Sequence, residues 1–202
     1  MMYRPIYHPR INIHPTAIED HFRESPHHME KKRGQELLAG CVLSKVFETF
    51  DGHLGEIALP LKQRPDEPYT LSELITNESL HVDADVDLYL INQDGDAHPV
   101  QVTRLEEHYT GNNTDEGLIN LIRKKSLVPP DNDMILAVLI DVEGTGDFEE
   151  LRVKIEGEAF PFCMILLLGQ FGNDPKLGAF TCYAIYSVIR EPITVQLNLG
   201  DR

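Results

Sequence analysis

Three aspartates recur at every second position in residues 82–104, namely Asp83, Asp85 and Asp87. Because successive side chains of a β-strand point to opposite faces, all three carboxylates would share one face of an extended segment. Carboxylates crowded in this way repel one another unless they face water or a cation relieves the repulsion. The pattern therefore leaves two interpretations open, a solvated strand edge or a site for a hard divalent cation such as Mg²⁺.

The segment that carries these aspartates predicts a β-hairpin with arms at residues 82–92 and 98–104. An Asp-Gly pair between the arms is a strong hairpin turn signal. Each arm has an apolar face for the core and a polar face. If the register brings the two polar faces together, Asp87 or Asp85 meets Gln101 and Thr103.

The elements around the hairpin are predicted from apolar periodicity and capping residues. A strong helix is expected over residues 29–50, with Glu36 at the edge of its apolar stripe, and a second helix begins near Thr114 and ends with Lys124 and Lys125. The other expected elements are a short strand within 54–61, a helix over 70–80, a helix or turn over 148–155, and buried strands over 134–142, 162–168 and 180–189. This order predicts an α/β fold with a sheet covered by helices.

The first 29 residues are rich in histidine and proline and predict an irregular N-terminal arm. The remaining residues, 30–202, are long enough for a single α/β domain with a proper core. We expect the arm to pack on the body or on a partner, which makes a homodimer or a protein partner through this segment an open prediction. Its histidines could bind a metal, but their spacings match no known site.

The formal charge of the 202-residue chain is −15, and it is concentrated after residue 50. An acidic body repels phosphate backbones, so the charge disfavours a nucleic-acid partner unless a local basic surface or bound cations offset it.

No apolar run approaches the roughly 20 residues of a membrane span, and no signal peptide is evident. Cys41, Cys163 and Cys182 fit no disulfide or zinc spacing, which predicts buried free thiols in a cytoplasmic protein.

The order of elements, together with Glu36, the pair Val86-Asp87 and the triplet Gln101-Val102-Thr103, resembles the PD-(D/E)xK nuclease-like superfamily. The resemblance runs from about residue 30 to about residue 186. It implies a restriction-endonuclease-like central mixed sheet flanked by helices. It also implies a phosphodiester hydrolase that uses Mg²⁺ or Mn²⁺.

Carried over to this chain, the resemblance makes Asp87 the main metal ligand, with Glu36, Gln101 and Asp85 completing the metal site. The departures from the family pattern are a glutamine in place of the second acid and Thr103 in place of the lysine. In some members of the superfamily, that lysine lies on the following helix instead. In this chain, the corresponding helix carries Lys125, which shares the apolar face, and the resemblance gives it the catalytic role. The implied catalytic set is therefore Glu36, Asp87, Gln101 and Lys125.

Two alternatives stay open beside a degenerate hydrolase. The first is a catalytically inactive nuclease-like scaffold that acts as a protein-interaction module, which the acidic charge and the missing lysine favour. The second is a metal-binding or hydrolytic protein that uses His53 with Glu56, and His81. A single His-x-x-Glu pair is a weak signal, because no second histidine follows at helical spacing.

Overall fold

The computed structural model describes residues 10–62, 68–82, 85–105, 114–127, 133–140, 148–170, 178–187 and 191–199. Within them, eight strands form one sheet: β1 (Arg10–Ile13), β2 (Glu56–Pro60), β3 (Leu88–Ile91), β4 (Ala97–Leu105), β5 (Ile135–Ile140), β6 (Met164–Gly169), β7 (Ala179–Tyr186) and β8 (Ile193–Gln196). Five α-helices accompany the sheet: α1 (Pro15–Glu24), α2 (Lys32–Asp51), α3 (Leu71–Thr76), α4 (Thr114–Lys125) and α5 (Phe148–Glu156). Short 3₁₀ turns occupy Pro26–Glu30 and Glu78–Leu80.

The eight strands lie side by side in the order in which they occur along the chain. Strands β4, β5 and β6 run parallel, and every other neighbouring pair is antiparallel. Parallel neighbours need a crossover connection, and α4 and α5 occupy the two crossovers. The prediction of an α/β fold with a mixed sheet flanked by helices is confirmed, whereas its restriction-endonuclease-like identity stays a prediction.

The helices cover the two faces of the sheet separately, and each face has its own apolar cluster. Helices α1, α2 and α3 bury one face against residues such as Leu88, Val100 and Ala137. Helices α4 and α5 cover the other face, where Leu105 and Leu136 are buried. Because β5 is covered on both sides, its sequence is a continuous apolar run.

Helix α2 is the central helix of the first layer, and its own sequence allows unusually close packing. A Cβ at Gly34 would lie 1.8 Å from the carbonyl oxygen of His28, and one at Gly40 would lie 3.1 Å from Ile57. The 3₁₀ turn therefore rests directly on the first turns of α2. Position 34 requires glycine for lack of space and not for an unusual backbone angle.

The prediction of an irregular arm is wrong for residues 10–30, which form β1, α1 and the first 3₁₀ turn, while residues 1–9 lie outside the described residues. Ile18 and Phe22 are fully buried at helical spacing in the α2 layer. The carboxylate of Glu19 pairs with Lys45 of α2 at 2.8 Å and accepts the backbone N–H of Asn198 at 2.9 Å. This segment thus joins the N-terminal helix to α2 and to the end of the chain.

The hairpin is confirmed with a shorter first arm, because β3 begins only at Leu88. Asp83 lies outside the described residues, and Asp85 is exposed and not in a strand. The C-terminal segment contributes a strand, β8, that the sequence did not predict. Cys41 and Cys182 are buried free thiols as predicted, but Cys163 is exposed because it precedes β6 at the edge of the core.

The predicted cap of α3 and the predicted basic end of α4 are confirmed. Thr70 caps α3, and its hydroxyl and Glu73 form a reciprocal capping box. Helix α4 begins at Thr114 and ends with the basic residues Lys124 and Lys125, which suits the helix dipole. The described part of the chain contains no helix that is long and apolar enough to cross a bilayer.

Replacing Gly34 with alanine should strongly destabilise the protein, because the added Cβ would overlap the carbonyl of His28 and force the 3₁₀ turn off α2. We expect the free energy of unfolding, measured by urea denaturation, to fall by about 3 kcal/mol or more. Gly157→Ala is the matched control, since its Cβ would meet only the Lys154 carbonyl at 3.7 Å. Equal losses in the two variants would contradict the packing assigned to Gly34.

Candidate functional site

Asp87 lies at the point where strand β3 begins beside β4. Its backbone N–H donates to the carbonyl of Val100 at 3.0 Å, and its Oδ2 accepts the backbone N–H of Val102 at 2.8 Å. The backbone of Asp87 thus makes a hydrogen bond to β4, and its side chain makes a second one two residues further along β4. As a result the carboxylate is held against the middle of β4 and cannot turn freely to solvent.

Glu36 reaches the same place from helix α2, and its side chain is only 5 % exposed. The guanidinium of Arg33, one turn earlier, lies 2.7 Å from Glu36 Oε2. The same Arg33 Nη1 donates to the backbone carbonyl of Asp87 at 2.8 Å. Arg33 thus joins the helix to the start of β3, and the sequence analysis did not identify it. Its spacing of three residues from Glu36 was the available signal.

The carboxyl group of Asp87 is close enough to Glu36 for its charge to act on the pKa of Glu36. Burial raises the pKa of Glu36 to about 7, and the neighbouring charge of Asp87 adds to the rise, against the opposing charges of Arg33 and Lys32. Burial also raises the pKa of Asp87, although the N–H of Val102 opposes it. Two carboxylates that are close together and shielded from water cannot both ionise without cost, so Glu36 keeps its proton to a higher pH than an exposed glutamate does.

Several cations surround this acid pair in a chain that is strongly acidic as a whole. The Lys32 ammonium is 3.8 Å from Glu36 Oε1, and its side chain is 88 % exposed. Lys125 of α4 is half-buried, whereas Lys124 is exposed, as the predicted helix face requires. The positive charges of Lys32, Arg33 and Lys125 all act to lower the pKa of Asp87. Three cations from two helices thus act on the acid pair, and Lys32 is the most exposed of them.

The structure brings together Glu36, Asp87 and the charge of Lys125, but it does not bring the remaining predicted ligands to them. Val100 and Val102 face the α2 layer, so strand alternation places Gln101 on the opposite face of β4. Among the described residues, no hydrogen bond links Gln101 to Glu36 or Asp87. Asp85 is exposed.

The donor set at this site is small but suits a hard cation. Within the described ranges, no group of three or more His, Cys, Asp or Glu residues is arranged to hold a metal. The two carboxylates of Glu36 and Asp87 are nevertheless the oxygen ligands that Mg²⁺ prefers. Mg²⁺ is commonly held by only one or two protein carboxylates, with water and substrate phosphate completing its shell.

The histidine-based alternative does not assemble in the structure. His53 and Glu56 lie at the start of β2, whereas His81 lies beside Leu61 just beyond its end, about 16 Å away along the strand. The His81 ring is hydrogen-bonded to the Leu74 carbonyl.

The histidines within residues 10–30 are also occupied in structural contacts. His14 caps α1 through its side chain. The rings of His21 and His28 stack on each other and share a 2.8 Å hydrogen bond between Nε2 and Nδ1. These contacts explain the histidines by packing and capping, and they supply no third ligand for a metal.

No family model matches the chain, and neither the curated proteins nor the solved structures contain a significant match to it. The geometry of the acid pair is therefore the basis for any functional assignment.

The raised pKa of Glu36 predicts that stability falls as the pH increases. A carboxyl whose pKa is about 7 in the folded chain and 4.5 in the unfolded chain stabilises the fold fully below pH 4.5 and loses that effect through pH 7. We measure the free energy of unfolding by urea denaturation at several pH values. Between about pH 5 and pH 8, this free energy should fall by about 2–3 kcal/mol more in wild type than in Glu36→Gln. Glu48→Gln, on the exposed side of α2, is the control and should keep the wild-type slope. Parallel pH profiles for wild type and Glu36→Gln would mean that no proton is held there.

Proposed function

We propose that this chain is a nuclease-like, metal-dependent phosphodiester hydrolase with a degenerate active site. The observation that carries the proposal is the convergence of Glu36 and Asp87 from two distant segments into one buried acid pair surrounded by cations. Buried ionisable groups with strongly shifted pKa values are costly to the fold, and they are concentrated at functional sites. The convergence is also what the resemblance to the PD-(D/E)xK superfamily requires.

Glu36 and Asp87 are the residues that would hold the cation, and Mg²⁺ or Mn²⁺ is the ion that this donor set suits. When bound, the ion would polarise a phosphate and lower the pKa of a bound water. Glu36 would have to lose its proton before it could hold the ion, so loading of the site requires a pH near or above the pKa of Glu36. The N–H of Val102 keeps Asp87 oriented while Glu36 exchanges its proton.

The cations around the acid pair have separate roles in this proposal. Lys125 contributes positive charge beside Asp87 and would stabilise the charge that develops on a scissile phosphate. Lys32 is exposed and would attract the phosphate from solution, which offsets locally the repulsion from a chain of charge −15. Thr103 stands where the family pattern has a lysine on β4, and its side chain carries no positive charge. In this proposal, Lys125 of α4 therefore takes the role of that lysine.

A specific observation favours a second candidate, the catalytically inactive scaffold that acts as a protein-interaction module. The guanidinium of Arg33 already contacts Glu36 and the backbone of Asp87, and it supplies the positive charge that a metal would otherwise supply. In this candidate, the acid pair and Arg33 serve only to join α2 to the sheet. The two candidates differ in their response to divalent cations.

Millimolar Mg²⁺ or Mn²⁺ should raise the melting temperature if the acid pair binds the ion, since a ligand of the folded state alone stabilises that state. Asp87→Asn should abolish the rise, because it removes one of the two charged ligands. Asp94→Asn, in the exposed hairpin turn, is the matched control and should respond as wild type does. An unchanged melting temperature in wild type with both metals at about pH 8 would favour the inactive scaffold.

Lys125→Ala should reduce metal-dependent cleavage of single- or double-stranded DNA by on the order of 10²–10³, the usual loss for one electrostatic group that stabilises a transition state. Lys124 is the exposed neighbour of Lys125, and Lys124→Ala should reduce the cleavage rate much less. Both variants should melt near the wild-type temperature, which separates catalysis from folding. A larger loss for Lys124→Ala would reverse the assignment of the two helix faces.

A further inference from the structure

A second concave site lies at the other end of helix α2 from the acid pair. It is a cavity of about 280 Å³ between the C-terminal half of α2, the end of β3 and the starts of β5 and β6. Its walls are apolar and include Phe47, Leu90, Ile91, Ile135 and Met164. The proposed hydrolase mechanism does not use this space.

The walls of the cavity are fixed by contacts that do not depend on a ligand. On one side, the hydroxyl of Ser44 donates to the carbonyl of Gly55 at 2.7 Å. A Cβ at Gly55 would lie 2.5 Å from the carbonyl of Ile91, so the loop before β2 lies directly against the end of β3. On the opposite side, the backbone N–H of Cys163 donates to the backbone carbonyl of Met134 at 2.9 Å. The cavity is thus bounded by hydrogen-bonded backbone on two sides.

Three of the polar residues that line the cavity are exposed and mark its mouth. His53, His98 and Cys163 all line the site and are exposed. Imidazole N–H groups can donate hydrogen bonds to an acceptor on a ligand. Ser44 already donates its proton to Gly55, so it can offer a ligand only an acceptor. Apolar walls with a few polar groups on one side are the usual composition of a small-molecule site.

The volume limits what the site can hold. An apolar cavity of about 150 Å³ in another protein binds benzene, so about twice that volume suits a molecule with two fused rings. From the size, the apolar walls and the histidines at the mouth, we propose that this cavity binds a small bicyclic aromatic carboxylate. Its rings lie between Ile135 and Phe47, and its carboxylate faces His98.

The proposed site is separate from the acid pair. The cavity begins at Ser44, eight residues along α2 from Glu36, which corresponds to about 12 Å of helix. The proposal therefore does not rest on the hydrolase, and variants at Asp87 should leave ligand binding at the cavity unchanged.

Cys163 provides a readout at the site itself. It is an exposed thiol at the mouth, whereas Cys41 and Cys182 are buried, so alkylation of the folded protein reports on Cys163. Burial and the neighbouring Asp133 raise the pKa of the Cys163 thiol, so the reaction with iodoacetamide should be followed at about pH 8.5.

The test uses 1-naphthoate as the probe, with its dissociation constant measured by calorimetry and Cys163 alkylation followed by mass spectrometry. At a probe concentration about ten times the dissociation constant, alkylation should slow about tenfold, since about one-tenth of the sites remain open. Asp87→Asn should show the same protection. Lack of saturable binding, or binding that leaves Cys163 alkylation unchanged, would overturn the proposal.

Variants at the walls and the mouth separate this site from adventitious binding. Met164→Phe adds volume to the wall and should abolish protection, and Ile91→Phe is a second filling variant in case the first fails to fold. His98→Ala should weaken binding of 1-naphthoate about tenfold, because a hydrogen bond to a charged group is lost. Undiminished binding in a folded filling variant and in His98→Ala would show that the probe binds elsewhere.

Discussion

The burial of Arg33 and Glu36 beside the half-buried Asp87 is the constraint on which the rest of the structure depends. Taking charges out of water is costly, and the cost is offset only where the geometry supplies partners for them. Here the guanidinium contacts Glu36 and the backbone carbonyl of Asp87, the raised pKa of Glu36 favours its neutral form, and the N–H of Val102 binds Asp87. Loss of one member would leave the others buried without compensation, so helix α2 has one favourable position on the sheet.

The repulsion between the carboxylates of Glu36 and Asp87 also makes their protonation depend on the positive charges nearby. A proton, a guanidinium or a divalent cation can each relieve the repulsion between the two carboxylates. The folded chain already uses the first two, since Arg33 is in contact and the pKa of Glu36 is raised to about 7. A metal bound under our proposal would have to displace a proton from Glu36, so its affinity would depend on pH.

Helix α2 links the separate regions of the molecule. Its first turn carries Arg33 and Glu36, its middle packs on the sheet through Gly40, and its later turns border the apolar cavity. The N-terminal segment holds it in place at two points, through the carbonyl of His28 on Gly34 and through Glu19 on Lys45. A segment that resembles a loose arm by composition is thus part of the support of the acid pair.

The sequence by itself determined six of the eight strands, β2 to β7, as well as the hairpin turn, the cap at Thr70 and the inward face of Lys125, because periodicity and capping act between residues near each other in the chain. It also singled out Glu36 and Asp87 as a candidate pair. Only the tertiary structure decided that Arg33 lies between them, since its bond to Asp87 spans 54 positions. Likewise, only the fold determined that Gln101 faces the other layer, that Ile18 and Phe22 are buried, and that a cavity opens beside Cys163. These features arise from contacts between distant segments, and no local pattern of residue types encodes them.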